Sequence, residues 1–206
     1  GLGDVYKRQD IIQGWLSDNY GAEVEIGYIS AMWKGRGPAI VLKDLTLVKN
    51  ENSPIAFSVD ETQVELDLLA SLQSWQIHSR RFNLIGMEME ADLERLQQGG
   101  NDFPIVDALQ TLFLEQLLRF SISDSTVNIK TRLDEQQIQI QQLSWLNKGT
   151  RHQGVGEMRV AELARNSARF VLDLTGEKDE LEGTFYAAAE DCLLYTSDAA
   201  DDAGSV

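Results

Sequence analysis

Strict alternation of apolar and polar residues recurs along most of the 206-residue chain, and only a strand with one buried face satisfies it. Ile40 and Leu42 alternate with polar neighbours, as do Leu45 and Leu47, then Val64, Leu66 and Leu68. The pattern returns at Phe82 and Leu84, Met87 and Met89, Phe120 and Ile122, Val127 and Ile129, and Ile138 and Ile140. It closes with Phe170, Leu172 and Leu174, then Leu181, Gly183 and Phe185. Between them lie Lys43, Thr46, Glu65, Asp67, Asn83, Glu88, Ser121, Asn128, Gln139 and Asp173. A sheet of such strands has one greasy side and one wet side, which favours antiparallel pairing.

Three strands slip phase at a small or turn-forming residue. Leu42 steps over Lys43 and Asp44 to Leu45, Leu84 steps over Ile85 and Gly86 to Met87, and Ile122 steps through Asp124 to Val127. An extra residue at each place is expected to be a bulge that bends the strand and returns apolar side chains to the same face. The spacing of about forty residues suggests a weak internal repeat, as in elongated stacked sheets. The expected fold class is therefore mainly β with two short helices, built as a curved, bulged antiparallel sheet.

The first expected helix has Ile11, Ile12, Trp15 and Leu16 at helical spacing and Gly21 as a stop. The second starts at Asp102 as N-cap with Pro104 just inside, and puts Ile105, Ala108, Leu109, Leu112 and Phe113 on one face. A polar linker from Glu94 to Asn101 leads into it, and a short helical turn is expected over Leu68 to Ser74. Gly35-Arg36-Gly37-Pro38, Asn50 to Pro54 and Gly176 to Asp179 read as turns.

Both ends read differently from the rest. Asp4 to Gln9 and Cys192 to Ser197 resemble the two strands of one sequencing-adapter DNA, translated in opposite directions. Residues 1–9 and 192–206 are accordingly expected to be adapter-derived, leaving 10–191 as a fragment of a longer gene. Removing the net +1 of the first tail and the net −3 of the last takes the formal charge from −15 to −13. So acidic a chain is a poor partner for nucleic acid, whose binding rests on Lys and Arg releasing counterions. The single cysteine, Cys192, lies in a tail, which excludes disulfide frameworks and thiolate chemistry from the remainder.

No catalytic constellation stands out, and no cofactor is expected. His78 lies beside Arg80-Arg81 and His152 in a loop with Lys148 to Arg151, where surface or interface roles outweigh metal or acid–base ones. Glu23/Glu25 and Glu65/Asp67 share strand faces opposite the apolar side, as solvated carboxylates do. Trp33, Trp75 and Trp145 fall near strand ends and read as core or rim packing. What remains is the apolar face, which either packs under a second sheet or lines an open channel.

Trp15 to Leu47, with Gly21-Ala22-Glu23-Val24-Glu25-Ile26 and Trp33-Lys34-Gly35-Arg36-Gly37-Pro38, resembles the N-terminal part of the YhdP proteins, members of the AsmA-like superfamily. So do Val64 to Leu72 with Trp75, Phe82 to Gly86, and a third block, Gln142 to Asn147 with Arg151-His152. The resemblance covers most of Asp10 to Gly156. It implies a taco-like sheet with an open apolar groove, as in bridge-like lipid transfer proteins. It further implies a periplasmic body anchored in the bacterial inner membrane by an upstream helix that this chain lacks. The family is linked to phospholipid movement toward the outer membrane and to its permeability barrier, and offers no catalytic residues to carry over.

The lining candidates are Ile40, Leu42, Leu45, Leu47, Val64, Leu66, Leu84, Met87, Met89, Ile122, Val127, Ile129, Ile138, Ile140, Leu172, Leu174 and Phe185. The expected partners are phospholipid acyl chains, the inner membrane, and proteins of the envelope. Two other functions fit the same pattern: a module assisting outer-membrane protein assembly, like the related TamB-type proteins, and a structural spacer with a sealed sandwich core.

Overall fold

In the computed structural model each strand pairs with the next in chain order, as alternating segments joined by short turns require. The structure describes residues 23–35, 37–47, 53–67, 79–99, 104–160, 167–177 and 180–189, with positions 14, 72 and 73 besides. The strands are β1 (Val24–Lys34), β2 (Gly37–Leu47), β3 (Ile55–Leu66), β4 (Ser79–Asp92) and β5 (Arg119–Lys130). Then follow β6 (Glu135–Lys148), β7 (Arg151–Val160), β8 (Ala168–Thr175) and β9 (Glu182–Ala189). They form one nine-stranded sheet, curved and unclosed, with β1 and β9 at its edges. The expected first helix, the turn at Leu68 to Ser74, the two terminal tails, Trp75 and His78 lie in or largely in the segments outside the described residues.

The pairings are antiparallel except one: β4 and β5 run parallel. A parallel pair needs a crossover, and residues 93–118 supply it. The expected polar linker is in fact a short helix, α1 (Leu93–Gly99), started by Asp92, whose carboxylate accepts the Arg95 N–H at 3.1 Å. The expected second helix is α2 (Pro104–Gln110), which widens into a π-helical segment, Thr111–Gln116. It ends with the Leu117 N–H donating to the Leu112 carbonyl at 2.9 Å.

The three phase slips are real, and the backbone shows how they are made. Asp44, Gly86 and Asp124 have positive φ, at 52°, 66° and 48°. Apolar residues on both sides of each slip lie on one face, because Leu84 and Met87, like Ile122 and Val127, belong to one core cluster. The forty-residue spacing, however, is not a repeat. Each of the first six strands slips, at Gly27, Asp44, Asp60, Gly86, Asp124 and Gln141 in turn, and these positions stand side by side across the sheet. Because neighbours slip together, pairing resumes in register on the far side: Lys43 opposes Glu61 and Leu45 opposes Val59. The mismatch is discharged only between β6 and β7, where Gln141 is an extra residue between Ile140 and Gln142.

Two side chains, Ser125 and Asp60, pack into this crease. The Ser125 hydroxyl accepts the Met87 N–H at 3.0 Å and donates to the Ser123 carbonyl at 2.7 Å, replacing ladder bonds lost between β4 and β5. The Asp60 side chain lies where a Cβ on Gly86 would be, with Cγ at 2.8 Å. Gly86→Ala therefore meets both positive φ and a neighbouring carboxylate. It is expected to cost about 2 kcal/mol, read as a lowered urea midpoint at unchanged m-value.

Candidate functional site

Register fixes what shares the apolar face. On one side of the crease, Ala31, Ile40, Val64, Phe82, Phe120, Trp145, Gly154, Leu172 and Phe185 oppose one another in a row across all nine strands. The next row holds Ile29, Leu42, Thr62, Leu84, Ile122, Leu143, Gly156 and Phe170. On the other side run Ile26, Leu45 and Val59, then Val24, Leu47, Phe57 and Met89. Val127, Ile138 and Val160 extend the latter row, with Ile140 and Met158 beside them. Of the other lining candidates, Met87 joins Val59, Ile129 lies one inward position beyond Val127, Leu66 opposes Ser79, and Leu174 opposes His152. Side-chain alternation thus brings the lining set to a single face.

That face is covered unevenly. Val59, Leu84, Met87, Phe120, Ile122, Val127, Leu143 and Phe170 are buried in one cluster. Leu45, Met89, Ile129, Ile138, Ile140, Met158 and Leu172 pack against it but are only partly buried. Among the described residues no second sheet faces them. The cover is the crossover instead. Phe113 meets Phe120 edge-on at 4.9 Å and Phe82 at 6.3 Å, Leu117 is buried, and Phe120 stacks on Trp145 at 5.7 Å. The described residues of α2 are partly buried or exposed, and the anchored end is the π-helical one.

A buried polar knot holds that end down. Asn147 Nδ2 donates to the Phe113 carbonyl at 2.5 Å and the Leu117 carbonyl at 2.7 Å, two groups the helix end leaves open. Trp145 Nε1 donates to Asn147 Oδ1 at 2.7 Å, and His152 Nδ1 lies 2.7 Å from the same oxygen. Since Oδ1 can only accept, the ring nitrogen facing it is the donor of that contact. His152 Nε2 lies 3.2 Å from the Gly176 carbonyl oxygen. The expectation of a loop histidine with a surface role is thus corrected: His152 is 2% exposed, on the apolar side of β7. Its imidazole lies between a turn carbonyl and the amide that clamps the crossover.

Glycines make room for the rings beside this knot. A Cβ on Gly154 would sit 2.7 Å from the Trp145 ring, and one on Gly156 would sit 2.8 Å from Phe170. The rings of β6 and β8 therefore reach across the first half of β7, whose inward positions His152, Gly154 and Gly156 are small or polar. Trp33, by contrast, is exposed at the edge. One hydroxyl on the face, Thr62 Oγ1, is buried with no partner among the described residues.

The opposite face is largely polar, as expected, but Ala39 and Val41 of β2 are buried on it. Lys34 pairs with Glu65 and Lys43 with Glu61, in exposed bridges that contribute little to stability. Arg151 grips Asp173 with Nε at 3.1 Å and Nη2 at 2.7 Å. The Arg151 hydrogen bond is the main cause holding the Asp173 carboxyl below its ordinary value. Its stabilisation is thus present above the unfolded carboxylate range and lost as pH falls through the lowered value. Asp173→Asn is expected to flatten that acid limb slightly in a series of urea melts across pH, since the pair is exposed. Among the described residues no group of three or more His, Cys, Asp or Glu could hold a metal, and no helix is long and apolar enough to cross a membrane.

A family model described as "YhdP protein" matches residues 3–197. The chain belongs to the YhdP family. A relative, the "Intermembrane phospholipid transporter YhdP" of Escherichia coli (strain K12), is 26% identical over 144 residues, 69% of this chain. The matched stretch spans 11% of that relative's length. No solved structure matches the chain. In this YhdP sheet the block Gln142 to Asn147 with Arg151-His152 supplies Trp145, Asn147 and His152 to the knot that fastens the crossover.

Proposed function

We propose that this chain is a lipid-conducting segment of an inner-membrane-anchored, periplasm-spanning protein that carries phospholipids toward the outer membrane and so supports its permeability barrier. It is not an enzyme in this reading, and its partners are acyl chains, the inner membrane and envelope proteins. One observation carries the proposal: an apolar face that runs across nine strands and that, among the described residues, is roofed by the crossover and by no second sheet. A two-chain lipid with about sixteen carbons per tail forfeits on the order of 25 kcal/mol if it crosses water bare, at ~0.8 kcal/mol per CH₂. A greasy trough removes most of that barrier and leaves the headgroup wet at the open side. The rows across the crease from the aromatic knot, with Met89, Ile138, Ile140 and Met158 half-covered, are where tails would lie.

Organic extracts of the purified chain are expected to contain phospholipid, and the chain to take up a fluorescent acyl probe. A well-folded, lipid-free chain that ignores the probe overturns the proposal and leaves the assembly-module reading, whose signature is a client β-strand crosslinked to a sheet edge.

A further inference from the structure

Where β4 and β5 end, the last inward pair is Ala91 opposite Ile129. One step beyond, α1 and the β5–β6 turn flank an open cleft of about 390 Å³, whose lining includes Leu93, Glu94, Gln98, Thr131, Arg132 and Leu133. That volume lies within the range of small-molecule sites. Its chemistry is mixed in a specific way. Leu133 is 95% exposed, an apolar side chain that its own turn leaves uncovered. Arg132 has no ion-pair partner among the described residues, and Glu94 takes only a hydrogen bond from Gln98 at 3.3 Å. The nearby Asp134 carboxylate is turned to the Glu135 N–H at 2.8 Å, and Asp92 is engaged by Arg95. One cation and one anion thus remain available beside two leucines, at the rim where the apolar rows stop.

We infer that this cleft receives the headgroup of a zwitterionic glycerophospholipid, with Arg132 toward the phosphate and Glu94 toward the ammonium. The inference rests on the conduction reading, because it places the acyl chains on the Ala91–Ile129 side. It adds a headgroup preference at the rim: a single ammonium–carboxylate pair favours ethanolamine over glycerol headgroups, since the latter lack the cation. Both charged residues are exposed, so neither substitution should disturb folding.

The test uses the full chain and two short-chain lipids, dihexanoyl phosphatidylethanolamine and dihexanoyl phosphatidylglycerol, titrated below their micelle concentrations. Free phosphoethanolamine and a fluorescent acyl probe are titrated in parallel. Glu94→Gln is expected to abolish an ethanolamine preference of about fivefold, and Arg132→Gln to weaken both lipids by a similar factor. Uptake of the acyl probe should stay unchanged in both variants. Equal affinity of the unaltered chain for the two lipids overturns the inference while leaving conduction intact. So does headgroup preference surviving in Glu94→Gln, or free phosphoethanolamine binding as well as the lipid. Failure of every lipid and of the acyl probe overturns both readings.

Discussion

Asn147→Ala is expected to lower the free energy of unfolding by about 3 kcal/mol or more, an unusually large effect for one polar side chain. The substitution removes the partner of four groups at once: the Phe113 and Leu117 carbonyls, Trp145 Nε1 and His152 Nδ1. Each buried group left bare costs about 1–3 kcal/mol, less whatever water can reach it. Because the lost bonds hold the crossover and not the ladder, the strands should survive while the segment after α2 loosens. Hydrogen exchange over residues 111–118 should rise well ahead of exchange in β5 and β6. A shift in unfolding free energy below about 0.5 kcal/mol would show the knot to be incidental.

Ile140→Glu should separate binding from folding more sharply than any other change. Ile140 lies against the core cluster but is only partly buried, on the side of the crease away from Phe113. In a closed core a carboxylate there would be intolerable and the chain would unfold. On an open face the charge turns toward water at a cost of about 1–2 kcal/mol in lost packing, while uptake of an acyl probe falls at least about tenfold. Gln139→Glu, on the wet face of the same strand, is the control and should leave uptake unchanged. Loss of the β circular-dichroism signal in Ile140→Glu, with Gln139→Glu intact, would refute the open-face reading.

The alternation that announced the strands was legible wherever inward positions carry large aliphatic side chains. It failed over the first half of β7 for a physical reason: the inward residues there are His152, Gly154 and Gly156, because rings from β6 and β8 fill that space. The knot was hidden in the same way, since Asn147 and His152 are polar residues at positions where periodicity looks for apolar ones. The slips at Asp44, Gly86 and Asp124 could be read because each is flanked by clear alternation on both sides. Those at Gly27, Asp60 and Gln141 could not, and only pairing aligns all six. The parallel step between β4 and β5 likewise depends on where the crossover lands, which no local pattern specifies.

The shared crease restricts how such a chain can change length. Deleting one residue from the middle of β3 would turn half of that strand inside out against β2 and β4, whose own kinks would then face nothing. Six strands are in this sense spliced together, and an insertion in one is tolerable only if matched next door. Beyond the extra residue in β6 the crease ends, and β7 to β9 pair with one another without a slip. Evolution of this sheet should therefore proceed by whole hairpins at its margins, with single-residue indels confined to the turns.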